Sequence, residues 1–222
     1  MRDGGTGLNA LLLLLLDSRS PAGGHNHSAG VEAAIEAGFV RGVGDVEAFC
    51  RTRLHTSGRV NAAFAAAACH LAIDGRDGWD ELDAEFDART PSAATRAASR
   101  QLGRGLMRLV RASLPDFAAP WPTTTPHHPL VLGAAVAAAG GDPELAARAA
   151  ALAAASVPAS GAVRLLGLDP FAAHSVLARL APDIDALAAD VTHHPALPTE
   201  SAPALDLLAD FHLTAEVRLF AS

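Results

Sequence analysis

Alanine fills 51 of the 222 positions, and that narrows the fold more than any motif does. Alanine is the strongest intrinsic helix former, whereas Val, Ile and Thr, which favour strands, are sparse. No segment alternates apolar and polar residues with the period of two that a half-buried strand requires. The expectation is an all-α, single-domain bundle of about ten or more helices, without a sheet. Small side chains let helix axes approach closely. Aromatic residues are only 5% and tyrosine is absent, so Leu, Ala and Val must build the core. A chain of this length can bury roughly 70% of its unfolded surface, enough for a core without staples.

Turn and cap chemistry divides the chain into twelve helical segments, at 7–17, 28–38, 44–57, 59–74, 79–88, 91–112, 127–140, 142–156, 158–167, 170–181, 183–192 and 203–211. Asp45 and Asp142 are set to cap helix starts, and Pro91, Pro143 and Pro158 fall near first turns, where a missing N–H costs nothing. The segments at 127–140 and 142–156 are apolar on most faces, which suits a central position or a subunit interface. Residues 1–6 are expected to form a loose tail, 7–211 the helical domain, and 212–222 a C-terminal tail that binds a partner. The stretches 115–126 and 193–203 read as irregular.

Every basic side chain except histidine is arginine; there is no lysine. A Walker A loop needs a lysine on its phosphates, and Schiff-base chemistry needs a lysine amine, so both are excluded. A net charge of −7 argues against nucleic-acid binding, which needs a basic footprint. Cys50 and Cys69 form no metal-finger pattern and read as buried thiols. The apolar run 8–16 is too short for a membrane span and lacks the flanks of a signal peptide. A cytoplasmic protein with no membrane partner is expected.

Residues 17–32, DSRSPAGGHNHSAGVE, hold the densest chemistry. Pro21, Gly23 and Gly24 turn the backbone, and His25, His27 and Ser28 then stand where a helix should begin, with Glu32 in its first turn. Ten histidines include the pairs His127-His128 and His193-His194, but a metal site needs convergent ligands and supporting carboxylates. No HExxH pattern, His/Cys cluster or acidic loop supplies them. No G-x-S-x-G elbow or GxGxxG phosphate loop is present either. The site reading is therefore no catalytic residue, no metal ligand and no cofactor. On α-helical spacing, Arg96, Ser99 and Gly103 share one face, where small residues admit a neighbouring helix and a buried Arg96 would need an acceptor. Two other classes stay open: a purely structural helical adaptor, and a small helical enzyme using His27 and Glu32.

The order Asp-Ser-x-x-Pro-x-Gly-Gly-x-x-His-Ser-x-Gly-x-Glu after a leucine-rich helix resembles the N-terminal signature of the UreF family of urease accessory proteins. Arg96, Ser99 and Gly103 are similar to that family's central motif, although its acidic member falls at Ala94 here. The segment 126–140 resembles the family's His-x-x-x-x-Gly helix start. Residues 163–180 match at Arg164, Leu165, Leu168 and Leu177. They depart where Asp169-Pro170 replaces a Gly-Gln pair and His174 a second Gln. The end of the chain resembles the family's Arg-Leu-Phe tail.

The resemblance implies an all-helical homodimer. It implies that the chain binds UreD (also called UreH) and the nickel-carrying GTPase UreG. That complex would dock on apo-urease subunits and promote GTP-dependent nickel delivery. It also implies a set of partner-binding residues: Asp17, Ser18, Pro21, Gly23, Gly24, His27, Ser28, Gly30, Glu32, Arg96, Ser99, Gly103, Arg218, Leu219 and Phe220.

Overall fold

A computed structural model describes residues 9–17, 27–118, 121, 125–194 and 196–212. Ser18, Pro21, Gly23, Gly24, Arg218, Leu219 and Phe220 lie outside the described residues, as do both expected tails but for His212. The elements in chain order are α1 (Ala10–Leu16), α2 (Val31–Glu36), α3 (Val43–Arg53), a π-helical turn (Leu54–Gly58), α4 (Arg59–Asp74), α5 (Trp79–Ala88) and α6 (Ala93–Ser113). There follow α7 (His128–Ala138), α8 (Pro143–Leu166), α9 (Pro170–His193) and α10 (Pro203–His212). The protein is all-helical, with no strand among the described residues.

Helix number is the main correction. Three expected breaks do not occur, at Gly58, Pro158 and Pro182. The π turn joins α3 to α4 in one rod, so the described residues hold nine separate helices rather than twelve segments. Pro158 lies buried inside α8 and Pro182 inside α9. Each removes one backbone hydrogen bond, but packing along both halves of each helix outweighs that local loss. Gly58 stays in the rod because α8 crosses there: a Cβ on it would lie 2.9 Å from Ala154 Cβ.

Asp142 caps α8 as expected, accepting the Leu145 N–H at 2.7 Å. Asp45 does not cap α3. Gly42 holds that position, and the Asp45 carboxylate reaches back to the Arg41 N–H at 2.9 Å. α2 starts at Val31 rather than 28, because Gly30 takes a left-handed φ of 82° at its N-cap.

α4, α7 and α8 form the centre. Pro129 through Val136 of α7 are all buried. A Cβ on Gly133 would meet the Ala65 carbonyl at 2.2 Å, so α7 and α4 touch backbone to backbone. This is the close approach that alanine and glycine permit. α8 adds a buried face that includes Ala147, Ala151, Ala155 and Ala162. α9 covers it with Val176, Leu180, Ile184 and Leu187. α8 is long and apolar enough to cross a membrane, but its alanine face is occupied by α4 and α9, as in a core helix. Phe64 meets Phe86 edge-on, with ring centres 5.1 Å apart, and seats α5 on this core.

Candidate functional site

The face of α6 that carries Arg96, Ser99 and Gly103 meets the start of α7 and the outer turns of α5. Gly103 makes the junction possible: a Cβ there would fall 2.1 Å from the Pro126 carbonyl oxygen. That contact brings Ser99 to His127 and His128. The His128 backbone N–H donates to Ser99 Oγ at 3.3 Å, and the same oxygen lies 3.1 Å from His127 Nδ1. His127 Nε2 lies 2.9 Å from Asp87 Oδ1. The partners assign a neutral ring, with the Ser99 hydroxyl donating to Nδ1 and Nε2–H donating to Asp87. Burial, and then the Arg100 charge, hold His127 below its usual range against the pull of Asp87 and Asp83, in keeping with a neutral ring.

Arg100 ties the knot together. Its guanidinium donates to Asp83 Oδ2 at 2.9 Å, to Asp87 Oδ2 at 2.6 Å and to the Thr125 carbonyl at 2.7 Å. Asp83 also accepts the His127 backbone N–H at 3.2 Å. Against the upward pull of partial burial, hydrogen bonds from His127 and Arg100 hold the Asp87 carboxyl below its ordinary value. Arg96 donates to the carbonyls of Thr90 and Pro91 at 2.6 and 2.8 Å, which supplies the acceptors its partial burial requires. Arg100, Asp83 and Asp87 escaped the sequence reading. The available signal was spacing: Asp83 and Asp87 are i and i+4 on α5, and Arg100 follows Arg96 by four on α6.

The segment leading into α2 also comes near the start of α7, where His27 acts on His128. His27, Ser28 and Glu32 are all buried, and Asp17 and Gly30 are partly so. Gly161 of α8 faces them, for a Cβ there would lie 2.9 Å from Val31 Cγ1 and 3.7 Å from Ser28 Cα. Burial holds His27 below its ordinary pKa. Burial first, and the neighbouring His27 second, push His128 down to about 4. The adjacent histidines thus serve two clusters, His127 the α5–α6 knot and His128 the His27 side.

A third element closes the site. Asp210, near the end of α10, accepts the Ser92 hydroxyl at 2.6 Å and the Ala94 N–H at 3.2 Å. Ser92 in turn caps α6 through the Thr95 N–H at 3.1 Å. Position 94 carries no acid of its own, and a carboxylate arrives there from α10 instead.

Ser99, His127 and Asp87 are the residue types of a nucleophilic triad, but the geometry withholds them from that use. The His127 side chain is fully buried, Ser99 Oγ is already bonded to the His128 N–H, and Arg100 grips Asp87. Asp83, Asp87 and His127 also bring potential ligand atoms within 4.8 Å of one another. The Arg100 guanidinium bonds both carboxylates there, so a fixed cation already takes the place a metal ion would need. The arrangement is a rigid, internally satisfied polar joint.

A model of the UreF family matches residues 40–181. The chain is 42% identical over 213 residues to the urease accessory protein UreF of Mycolicibacterium vanbaalenii, covering 96% of this chain and 98% of that one. The chain belongs to the UreF family. UreF proteins of Mycobacterium marinum and Mycobacterium tuberculosis are 42% and 40% identical over 217 and 203 residues, covering 96% and 91% of this chain and 98% and 93% of theirs. Membership makes the chain a urease accessory protein and not an enzyme. The UreF match takes in the whole α5–α6–α7 joint, while the His27–Glu32 segment and α10 lie outside it. The departure at Asp169-Pro170 from the UreF pattern is locally favourable, for Asp169 accepts the Phe171 N–H at 3.0 Å and caps α9 with proline in its first turn.

Proposed function

We propose that this chain works in urease maturation by binding, as the component that bridges UreD (UreH) and the GTPase UreG and regulates GTP-dependent nickel insertion into apo-urease. In this reading nickel is cargo, the working form is a homodimer in the cytoplasm, and no resident cofactor is needed. The observation that carries the reading is likeness to UreF proteins over nearly the whole chain, joined to a polar site whose groups are spent on one another. A joint of that kind holds helix surfaces in fixed relation, which suits a partner that must tell nucleotide states apart by differential contacts.

The proposed contact residues fall in three groups. The first is the segment from Asp17 and Ser18 through Pro21, Gly23, Gly24, His27, Ser28 and Gly30 to Glu32. The second is the α6 face of Arg96, Ser99 and Gly103. The third is the tail with Arg218, Leu219 and Phe220, set apart from a helical domain over 7–211. His27, Ser28, Glu32 and Gly103 are buried, so their part is to shape the surface above them.

Co-purification of the tagged chain with UreD, UreG and urease subunits of the same organism tests this. The expected result is a complex containing all of them, with GTP hydrolysis by UreG altered in it. A complex that forms with no effect on the GTPase would favour a purely structural adaptor.

A further inference from the structure

Arg53 ends α3, immediately before the π turn. Its Nε is sealed from solvent and has no hydrogen-bond partner among the described residues, and neither has Ser57 Oγ, one turn further on. The Nε atoms of Arg59 and Arg89 also lack a hydrogen bond, but every other arginine shielded from solvent among the described residues is paired with a carboxylate: Arg59 with Asp190 and Glu200, Arg89 with Glu85, Arg96 with Asp87, Arg100 with Asp83 and Asp87, and Arg148 with Glu144 and Asp185. Asp206 on α10 is near enough for its charge to act on Arg53, yet no hydrogen bond or ion pair joins the two among the described residues. Two buried unmet donors in five residues, at a π turn, are a costly arrangement to keep without a use.

We propose that Arg53, with Ser57 beside it, receives a carboxylate that a partner protein of the urease-maturation assembly inserts next to α10. This rests on the binding role proposed above. A planar guanidinium fork matches a carboxylate with two parallel hydrogen bonds, and the Ser57 hydroxyl offers a third donor. Arg53 as a whole is only partly buried, so the side chain is not closed off from an incoming group. The neighbouring carboxylate of Asp206 makes a doubly charged phosphate a poor occupant, whereas a single carboxylate adds only one charge.

The test compares Arg53→Met, Arg53→Lys and Asp206→Asn in the full chain, reading both thermal stability and co-purification with the urease accessory proteins. Replacing an unpaired buried cation by an apolar side chain of similar length relieves its desolvation, so Arg53→Met is expected to raise Tm by about 2–4 °C. The same variant is expected to recover at least tenfold less partner. Arg53→Lys keeps the charge without the fork and is expected to lose partner without the gain in Tm.

Assembly of Arg53→Met at the wild-type level would overturn the proposal, as would failure of that variant to fold. So would a loss of stability shared non-additively with Asp206→Asn, which would make the two an intrachain pair. Stabilisation of the wild type by inorganic phosphate, absent in Arg53→Met, would overturn the choice of carboxylate. If the wild-type chain itself assembles with no accessory protein, the binding role fails first and this site with it.

Discussion

The Pro126 carbonyl oxygen stands where a side chain on Gly103 would have to be, 2.1 Å from the position of a Cβ. The neighbours on that side are backbone atoms of Pro126, His127 and His128, which cannot rotate away as a flexible side chain could. Gly103→Ala is therefore expected to push α6 and α7 apart and break the Ser99–His127 bonding. The cost should be about 3 kcal/mol, the upper part of the range for overpacking. Denaturant unfolding would show a lower midpoint at unchanged slope; a midpoint within error of wild type would show that the two helices can separate freely.

Three imidazoles crowd the start of α7, and all are held below their ordinary pKa. Burial leads for each of His27, His127 and His128, and His128 falls to about 4. For His128 the folded state then binds fewer protons than the unfolded chain between the ordinary histidine value near 6.5 and about 4, and His27 and His127 act in the same direction. Their stabilisation is fully present above pH 6.5 and is lost as pH falls through that window. His128→Gln is expected to remove about 2–3 kcal/mol of this pH-dependent loss. Urea unfolding at pH 7 and pH 4.5 checks it: equal pH sensitivity in variant and wild type would mean that His128 titrates normally.

Arg100 acts as the built-in counter-ion of Asp83 and Asp87. Arg100→Ala would leave two carboxylates facing one another beside His127, at a cost of about 2 kcal/mol after allowance for partial exposure. The same change should expose the three ligand atoms, which lie within 4.8 Å of one another, and create nickel or zinc binding that the wild type lacks at this place. Calorimetry with each metal would show it. Equal metal affinity in both proteins would mean that the guanidinium is not what fills the cluster.

Among the described residues, the Asp210 carboxylate bonds α10 to the start of α6, beside the packing of Leu205 and Leu208 on the core. Asp210→Ala removes the bonds to Ser92 and Ala94, and Ser92 remains as the cap of α6. The fold should lose about 1–2 kcal/mol, in the range of a lost N-cap. Amide exchange in α10 should speed up well before that of α4 or α7. Unchanged protection of α10 would show that Leu205 and Leu208, which pack on the core, suffice to hold it.

The class of fold was legible because composition and periodicity act over long windows. Alanine content announced helices, and the all-round apolar character of 127–140 pointed to a central position or a subunit interface, of which the burial of Pro129 to Val136 shows the first. Pro158 and Pro182 misled because local chemistry at one residue was outweighed by packing along whole helices, which a sequence does not display. In the site, Gly103 and Ser99 were visible as small residues on one α6 face, and the close approach they allow is the one observed. Arg100 was not singled out because its partners, Asp83 and Asp87, lie across a turn on α5, and the i,i+4 acidic pair looks like any solvated face. Asp210 was still less visible, since its partner Ser92 is 118 residues away. The family signature marked His27 and Glu32 as partner-binding residues, and their burial depends on long-range packing that a sequence does not display.

Assembly of the urease accessory proteins by this chain can be measured in cells that carry apo-urease and all other accessory genes but lack their own UreF. Supplying this chain is predicted to restore nickel-dependent urease activity, with UreD and UreG recovered in one complex with it. A stably expressed chain that restores no activity and recovers neither protein would show that it does not act by assembling them.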